Sequence, residues 1–567
     1  MFACDYDGTI AAHGRVAEAT AQALARVRES GRKLLLVTGR MLDDLRSVCP
    51  DVDRMFDAVV AENGAVLYFP GLRETKVLGD APEEALLEAL RQRRVRFDVG
   101  ASIIATDEPF AEAALAAIRQ TGVERTLVFN KGALMLLPGG VTKGTGLEAA
   151  LGAMELSAHN TVCIGDAEND HVFLAMSECG VAVANAIPAL KERADHVTRA
   201  ANGEGVIEFL DEHLVNDCVE LIPRLPRHRL PIGETADGEP VALPAHGTRL
   251  LIVGPSGSGK TTLTGALVER IVDTGRSALL IDPEGDYQTL SDLERVVVLG
   301  GTGERALPTP EELHQLLRRP SHSLVLNLGA MTRAEKVAYA TKVLGVVAAV
   351  RSTSGVPHWL ILDEAHHVLP ADGSPGAELL RARPEALCMI TLAVEDLAPE
   401  ARALPTAVAS TELAAFATAL KASQNDEVPT AIPGGPLERG EAALAWLGER
   451  PRAVRFRVAR RRIQHRRHVR KYTEGELPPD RSFFFRGPDA ALNLRAANLT
   501  RFVELADGVD EATWVHHLGR GEYSKWVREM IKDPELATQL GALEAAGDTP
   551  AESRRRVLAA IRARYAV

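Results

Sequence analysis

No apolar run in the 567 residues approaches the ~20 needed to cross a bilayer, so a membrane-spanning helix is not expected. The opening Met1-Phe2-Ala3-Cys4-Asp5 has neither a charged n-region nor a cleavable apolar stretch, and no secretory signal is expected. Six cysteines are scattered (Cys4, Cys49, Cys163, Cys179, Cys218, Cys388) without a Cys-x-x-Cys pair. That argues against structural zinc and against a disulfide framework, and for the reducing cytoplasm. Positive charge is in deficit: the net charge of −12 does not describe a surface coated for nucleic acid. Internal repeats and long low-complexity tracts are missing as well.

What is present is a strand–helix alternation in a chain too long for one core, which implies three domains or more. Leu34-Leu35-Leu36-Val37, Thr161-Val162-Cys163-Ile164 and Val181-Ala182-Val183-Ala184 read as buried strands, with amphipathic segments at Val16 to Arg28 and Asp170 to Ser177 between them. This pattern predicts a parallel sheet covered on both faces. From Leu214 to Pro244 it breaks into Pro- and Gly-rich sequence, read as a linker and the approach to a second alternating block, Arg249 to about Thr418. Asn493 to Val567 reads mainly helical. The expected division is 1–214 with an insert at 72–138, then 215–245, 246–458 and 459–567.

Asp5-Tyr6-Asp7-Gly8-Thr9 ends the first short strand, Val37-Thr38-Gly39-Arg40 the second, and Gly165-Asp166-Ala167-Glu168-Asn169-Asp170 a later one. Lys143 precedes a helix in Thr142-Lys143-Gly144-Thr145. In open α/β sheets ligands gather at the carboxyl ends of strands. A lone Asp-x-Asp-Gly-Thr string is as readily a turn, but four such signals in order are not. Only four residues precede Asp5, so the first strand is expected to be short or frayed, or the start to lie upstream.

This ordered set resembles the haloacid dehalogenase superfamily of phosphatases over roughly Met1 to Leu214. It looks closest to the Cof-type branch, given Ala61-Glu62-Asn63-Gly64-Ala65 and the Gly-Asp-x-x-Asn-Asp form of the fourth motif. The resemblance implies a Rossmann-like domain and phosphomonoester hydrolysis through an aspartyl-phosphate, a carboxylate nucleophile splitting one hard step into two. Asp5 would be the nucleophile and Asp7 the general acid and base. Mg²⁺ would be bound by Asp5, Asp166 and the Asp7 carbonyl with Asp170 in support, because at an effective dielectric of 20 two like charges 4 Å apart cost about 4 kcal/mol. Thr38 and Lys143 would hold phosphoryl oxygens, and Gly39 and Asn169 would meet the substrate. Leu72 to Pro138 would be a small α/β cap, read as helix Ala81–Arg93, strand Val95–Ala105, helix Pro109–Gln120 and strand Thr126–Leu137.

A second set follows the strand Leu250-Leu251-Ile252-Val253: the P-loop Gly254-Pro255-Ser256-Gly257-Ser258-Gly259-Lys260-Thr261, opening a helix. Its backbone N–H groups and helix N-terminus suit the phosphates of ATP. Gly254, Ser256, Gly257, Ser258, Gly259, Lys260, Thr261 and Thr262 are the candidate nucleotide contacts, with Lys260 reaching the β/γ-phosphates and Thr261 on Mg²⁺. Trp359-Leu360-Ile361-Leu362-Asp363-Glu364 is a strand ending in two acids; Asp363 would hold Mg²⁺ through water and Glu364 would polarise the attacking water. Together with Asp282-Pro283-Glu284-Gly285-Asp286-Tyr287 and Ala365-His366-His367, these residues resemble the HerA/FtsK-type motor ATPases over about Arg227 to Arg457. That resemblance implies a RecA-like fold and hexameric, DNA-translocating rings. One departure stands out: Thr391 is followed by Leu392, where the family has a polar residue, often Gln.

Arg452 to Lys471 carries ten Arg/Lys and no acid. It reads equally as a DNA phosphate-backbone contact or as a basic strand pairing with acidic surface; aromatic interleaving is thin (Phe456, Tyr472). Trp514, Tyr523 and Trp526 are expected in a helical core, and His516-His517 on a helix face without metal. The leading expectation is a cytoplasmic, Mg²⁺-dependent phosphatase joined to a HerA-like ATPase, acting on a small phosphorylated metabolite or a phosphorylated nucleic-acid end. A phosphatase–kinase for nucleic-acid ends is a second reading, since some polynucleotide kinase-phosphatases have this layout. An ATP-gated phosphatase whose P-loop module only sets assembly state is a third.

Overall fold

The computed structural model describes every residue except 131, 302–304, 374, 381–385, 423–431, 433–434, 448–450, 461–476, 478–480, 489–491, 532 and 566–567. Residues 461–471 of the basic run therefore lie outside the described residues. Two compact units form: residues 1–287 with 293–461, and residues 288–292 with 462–567.

The first sheet of the larger unit has eight strands, in the order His196–Val197, Cys179–Ala182, Val162–Gly165, Phe2–Cys4, Leu34–Val37, Ala58–Ala61, Val66–Phe69 and Glu74–Val77. The first six are parallel, and Val66–Phe69 and Glu74–Val77 join on through antiparallel ladders. Leu34 to Val37 are all 0% exposed, as strands covered on both faces must be. Phe2–Cys4 is short, as expected, but not frayed: it is buried and paired on both sides, to Val162–Ile164 and Leu34–Leu36.

The insert forms its own antiparallel sheet, Arg125–Asn130, Ala133–Pro138, Ile104–Asp107 and Asp98–Val99, with helices Glu84–Gln92 and Ala111–Thr121. Each expected long strand is in fact a hairpin. Val95–Ala105 is broken at Gly100-Ala101-Ser102, and Thr126–Leu137 turns at Gly132, whose φ of +89° favours glycine.

An 11-stranded sheet carries the second block. Its parallel part runs Ala407–Ser410, Arg249–Val253, Ala386–Thr391, Trp359–Leu362, Ala278–Asp282, Ser323–Asn327 and Val296–Gly300. Four antiparallel strands extend it: Glu441–Trp446, Arg452–Val458, Arg229–Glu234 and Pro240–Pro244. Part of the stretch 215–245, read as linker, is thus ordered sheet. Leu230, Ile232, Val241 and Leu243 alternate inward, a period-2 pattern that the surrounding prolines mask in the sequence. In the strand Arg452–Val458, Arg455 pairs with Glu441 across the ladder and Arg452 stacks 4.0 Å from the Trp446 ring.

The smaller unit is mainly helical, with helices Leu499–Gly508, Glu511–Leu518, Glu522–Trp526, Pro534–Glu544 and Pro550–Tyr565 beside the hairpin Phe483–Phe485/Leu494–Ala496. Trp514 and Tyr523 are buried and stack with ring centroids 4.4 Å apart. His517 is buried there; its Nε2 accepts from the Arg486 N–H and its Nδ1 meets Glu522. No helix among the described residues is long and apolar enough to cross a membrane.

Candidate active sites

The first site is assembled at the carboxyl ends of three neighbouring parallel strands. Asp5 follows Phe2–Cys4, Thr38 follows Leu34–Val37, and Asp166 follows Val162–Gly165. Lys143 opens the helix Lys143–Met154, fixed there by a capping box in which Thr142 and Thr145 exchange hydrogen bonds. Gly64, at φ +110°, allows that helix to come close: a Cβ there would stand 1.9 Å from the Thr142 carbonyl oxygen.

Lys143 Nζ donates to Asp5 Oδ1 at 2.6 Å and to Asp170 Oδ1 at 2.5 Å, with all three side chains buried. Asp170 Oδ2 accepts from the N–H groups of Asp166 (2.8 Å) and Ala167 (2.9 Å), which orients it. Thr9 Oγ1 lies 3.2 Å from Asp5 Oδ2 and 3.3 Å from Asp166 Oδ1. Oxygens of Asp5, Asp166 and Asp170 converge within 4.8 Å of one another. Burial raises the Asp5 carboxyl to about 7; Lys143 opposes this, while Asp170 and Asp166 add to it. The Lys143 ammonium, which burial alone would lower, is raised by the Asp170 and Asp5 carboxylates. Three carboxylates against one ammonium leave an excess of negative charge and hard oxygen donors, a set that fits Mg²⁺.

Asp7 points elsewhere. Arg40 holds it bidentately, Nε to Oδ2 at 2.7 Å and Nη2 to Oδ1 at 2.9 Å, and also reaches Asp44 Oδ2 at 2.6 Å. Asn169 Nδ2 donates to Asn63 Oδ1 at 2.8 Å, and its own Oδ1 is buried without a partner among the described residues. The cap brings Met135 over Gly39, where a Cβ would lie 3.4 Å from the Met135 sulfur. Glu62, 4% exposed, fastens the cap: its carboxylate accepts from the N–H groups of Ala101 (2.9 Å), Ser102 (2.9 Å) and Ile103 (3.2 Å). Motif reading missed Thr9, Arg40 and Glu62 as site residues. All three lie inside quoted motifs, and that is the only signal the sequence offers.

The second site sits at the ends of Arg249–Val253, Ala278–Asp282, Trp359–Leu362 and Ala386–Thr391. Gly254, Gly257 and Gly259 have φ of +156°, +78° and +108°, backbone that glycine adopts freely and that winds the loop tightly ahead of the helix Lys260–Asp273. Lys260 is buried, with Nζ 2.8 Å from the Gly254 carbonyl oxygen and 3.1 Å from that of Pro255. Ser258 Oγ accepts from Thr411 at 2.8 Å. Ser256 is exposed, and Thr261 and Thr262 lie on the first turn of the helix.

Asp363 is buried, and Tyr287 donates to its Oδ1 at 3.0 Å. Burial, with Asp282 and Glu364 adding, raises it to about 8. Asp282 itself accepts from the N–H groups of Gly285, Asp286 and Tyr287 at 2.8, 2.9 and 2.9 Å, so it shapes the turn that delivers Tyr287. Glu364 has the left-handed φ of +39°, rare for a glutamate, and its buried Oε2 has no hydrogen-bond partner among the described residues. That oxygen, 3.6 Å from His366 Nδ1 and within the field of the P-loop lysine, has hydrogen-bonding capacity left for a nucleotide's attacking water or metal. His366 Nδ1 lies 3.2 Å from Thr391 Oγ1, and Leu392 beside it is half-exposed.

The family described as haloacid dehalogenase-like hydrolase matches residues 2–99 and 96–210. The family described as helicase HerA, central domain, matches residues 231–344. A phosphoglycolate phosphatase of Methanothermobacter thermautotrophicus is 37% identical over 215 residues, 36% of this chain and 95% of that protein. Phosphoglycolate phosphatase 2 of Saccharolobus solfataricus is 32% identical over 223 residues, 38% of this chain and 92% of that protein. Among solved structures, a haloacid dehalogenase-like hydrolase from Bacteroides thetaiotaomicron is 20% identical, covers 37% of this chain and 97% of its own, and has a TM-score of 0.33. With its strand-end acids and capped sheet, the chain belongs to the haloacid dehalogenase-like hydrolases, as a phosphatase-type enzyme that also carries a HerA central domain.

Proposed function

We propose that this protein is a Mg²⁺-dependent phosphomonoester phosphatase, working through an aspartyl-phosphate on Asp5, joined to a module that binds and hydrolyses ATP. The observation that carries the reading is the buried convergence of Asp5, Asp166, Asp170 and Lys143. Asp5 attacks phosphorus while the bond to the leaving oxygen breaks, and Asp7 gives that oxygen its proton. Asp7 then takes a proton from the water that attacks the acyl phosphate, which frees inorganic phosphate and restores Asp5. Thr38 and Lys143 hold the phosphoryl oxygens. Asp5, Asp166 and the Asp7 carbonyl, with Asp170 behind them, would hold Mg²⁺, which supplies the charge compensation that lets a carboxylate approach a phosphate. Arg40 keeps Asp7 aimed at the leaving group.

Phosphoglycolate is the first small phosphorylated metabolite to consider, since the related proteins quoted above carry that name. Glu364 favours hydrolysis of ATP over phosphoryl transfer to a substrate, because its Oε2, which makes no hydrogen bond among the described residues, is available to polarise water. A screen of hydrolysis over phosphoglycolate, sugar phosphates, nucleotides and phosphorylated DNA ends, with and without ATP, tests the reading. We expect phosphoglycolate or another small monoester to lead; turnover confined to DNA ends would favour end processing instead. Ring assembly, DNA contact through Arg452–Lys471 and a cytoplasmic location belong to the same proposal, together with domain ends at 214 and 458.

A further inference from the structure

Glu178 is 1% exposed and stands at the start of the strand Cys179–Ala182 in the phosphatase sheet. Its partners come from both domains. Arg276 Nη2, from the P-loop domain, donates to Glu178 Oε2 at 2.6 Å and to Oε1 at 2.8 Å. His159 Nδ1, from the phosphatase, donates to Oε2 at 2.8 Å, and His246 Nε2 lies 3.2 Å from Oε1. Arg276 Nη2 also donates to His228 Nδ1 at 3.0 Å, since a guanidinium cannot accept. Burial alone would raise the Glu178 carboxyl, but the hydrogen bond from His159 and the proximity of His246 and Arg276 hold it far below the usual range.

His358 makes a second bridge. Its Nδ1 accepts from the Ser277 N–H at 2.9 Å, so Nε2 carries the proton and donates to Ser157 Oγ of the phosphatase at 2.9 Å. Asn160 Nδ2 donates to the Ser354 carbonyl oxygen at 2.8 Å, and a Cβ on Gly355 would come within 2.6 Å of Asn160. His159, Glu178 and His228 are spaced as metal ligands would be, yet Arg276 Nη2 already donates to Glu178 and His228. The cation of this cluster is the guanidinium.

The location gives the seam its meaning. Thr161 and Glu178 precede the phosphatase strands Val162–Gly165 and Cys179–Ala182; Ser277 and His358 precede the P-loop strands Ala278–Asp282 and Trp359–Leu362. Asp166, Asp282 and Asp363 lie at the opposite ends of three of these strands. The two sheets therefore meet base to base, each site lies about 13–17 Å from the seam at ~3.3 Å per residue, and the sites face away from each other. Handing a product directly from one site to the other is excluded by this arrangement.

We propose that the partner of the phosphatase's strand-base face is the P-loop domain of the same chain, and that the Glu178–Arg276 and Ser157–His358 seam makes the two domains one cooperative unit. A ligand that stabilises one then stabilises the other; the nucleotide arm of this inference rests on the ATP reading above. Breaking a buried ion pair on one side leaves an uncompensated charge on the other, so damage crosses the seam.

Hydrogen exchange on the full chain tests it. Glu178→Gln, a change in the phosphatase, should speed exchange about tenfold in Ala278–Asp282 and Trp359–Leu362 as well as in its own strands. Should that variant fail to fold, Ser157→Ala, which removes only a neutral hydrogen bond, supplies the same comparison. Acceleration confined to the phosphatase strands overturns the proposal. In wild type, saturating Mg²⁺ with a non-hydrolysable ATP analogue, its binding read separately by displacement of a fluorescent nucleotide, should slow exchange in Cys179–Ala182. Binding without that slowing also overturns it. Absence of binding would sink the ATP reading alone, and the variant comparison would still decide the seam.

Discussion

At the residue scale, two acids close in sequence have opposite surroundings. Asp5 is buried against Lys143, whereas Asp7 is half-exposed and gripped by Arg40. In the proposed mechanism the first attacks phosphorus and the second moves protons, a separation of roles that environment rather than residue type would decide. The grip of Arg40 on both Asp7 oxygens gives a specific expectation. Arg40→Gln should lower kcat about 10- to 100-fold with little change in KM, because it disturbs the aim of the acid and not the phosphate contacts. Steady-state kinetics on the best monoester reads this directly; a raised KM with intact kcat would make Arg40 a substrate contact instead.

At the scale of elements, the cap and the seam are each held by one buried glutamate. Glu62 satisfies three N–H groups in the loop 101–103, so Glu62→Ala leaves buried donors without partners and should cost about 2 kcal/mol or more. Because that loop anchors the cap above the site, KM should rise more than kcat falls; denaturant titration and kinetics on one preparation check both.

The seam predicts a pH dependence of stability. Burial lowers His228 from 6.5 to about 4, with Arg227 and Arg276 acting in the same direction and Glu178 and Asp195 opposing; His159, His246 and His358 face the same cluster. A depressed histidine stays neutral in the folded protein while the unfolded chain takes up a proton below about 6.5. Stability from this group is thus complete above pH 6.5 and is lost as pH falls toward 4. The wild-type Tm should drop over that window and His228→Gln should drop less steeply; equal slopes would show that His228 does not contribute.

Across the whole molecule, what the sequence reveals is chemistry with fixed residue types at strand ends. Asp5, Asp166, Lys143, Lys260 and Asp363 stand out in the sequence because the phosphate and metal chemistry proposed for them admits few residue types at strand ends and helix starts. Thr9 and Arg40 sat inside quoted motifs, but their partners depend on how strands 30 to 160 residues apart are ordered. Glu178 and Arg276, 98 residues apart, carry no local pattern at all, and only the base-to-base meeting of two sheets pairs them. The hairpin at Arg229–Glu234 and Pro240–Pro244 was hidden for a related reason: its prolines read as a breaker, while its edge position in the sheet tolerates them.

The proposed chemistry depends above all on Asp5 as the nucleophile. Phosphoglycolate and p-nitrophenyl phosphate hydrolysis should be measured with Mg²⁺ for wild type and Asp5→Asn, alongside circular dichroism to show that both are folded. We predict Mg²⁺-dependent turnover in wild type and a loss of about 1,000-fold or more in a folded Asp5→Asn. Comparable turnover by the two proteins would contradict the mechanism.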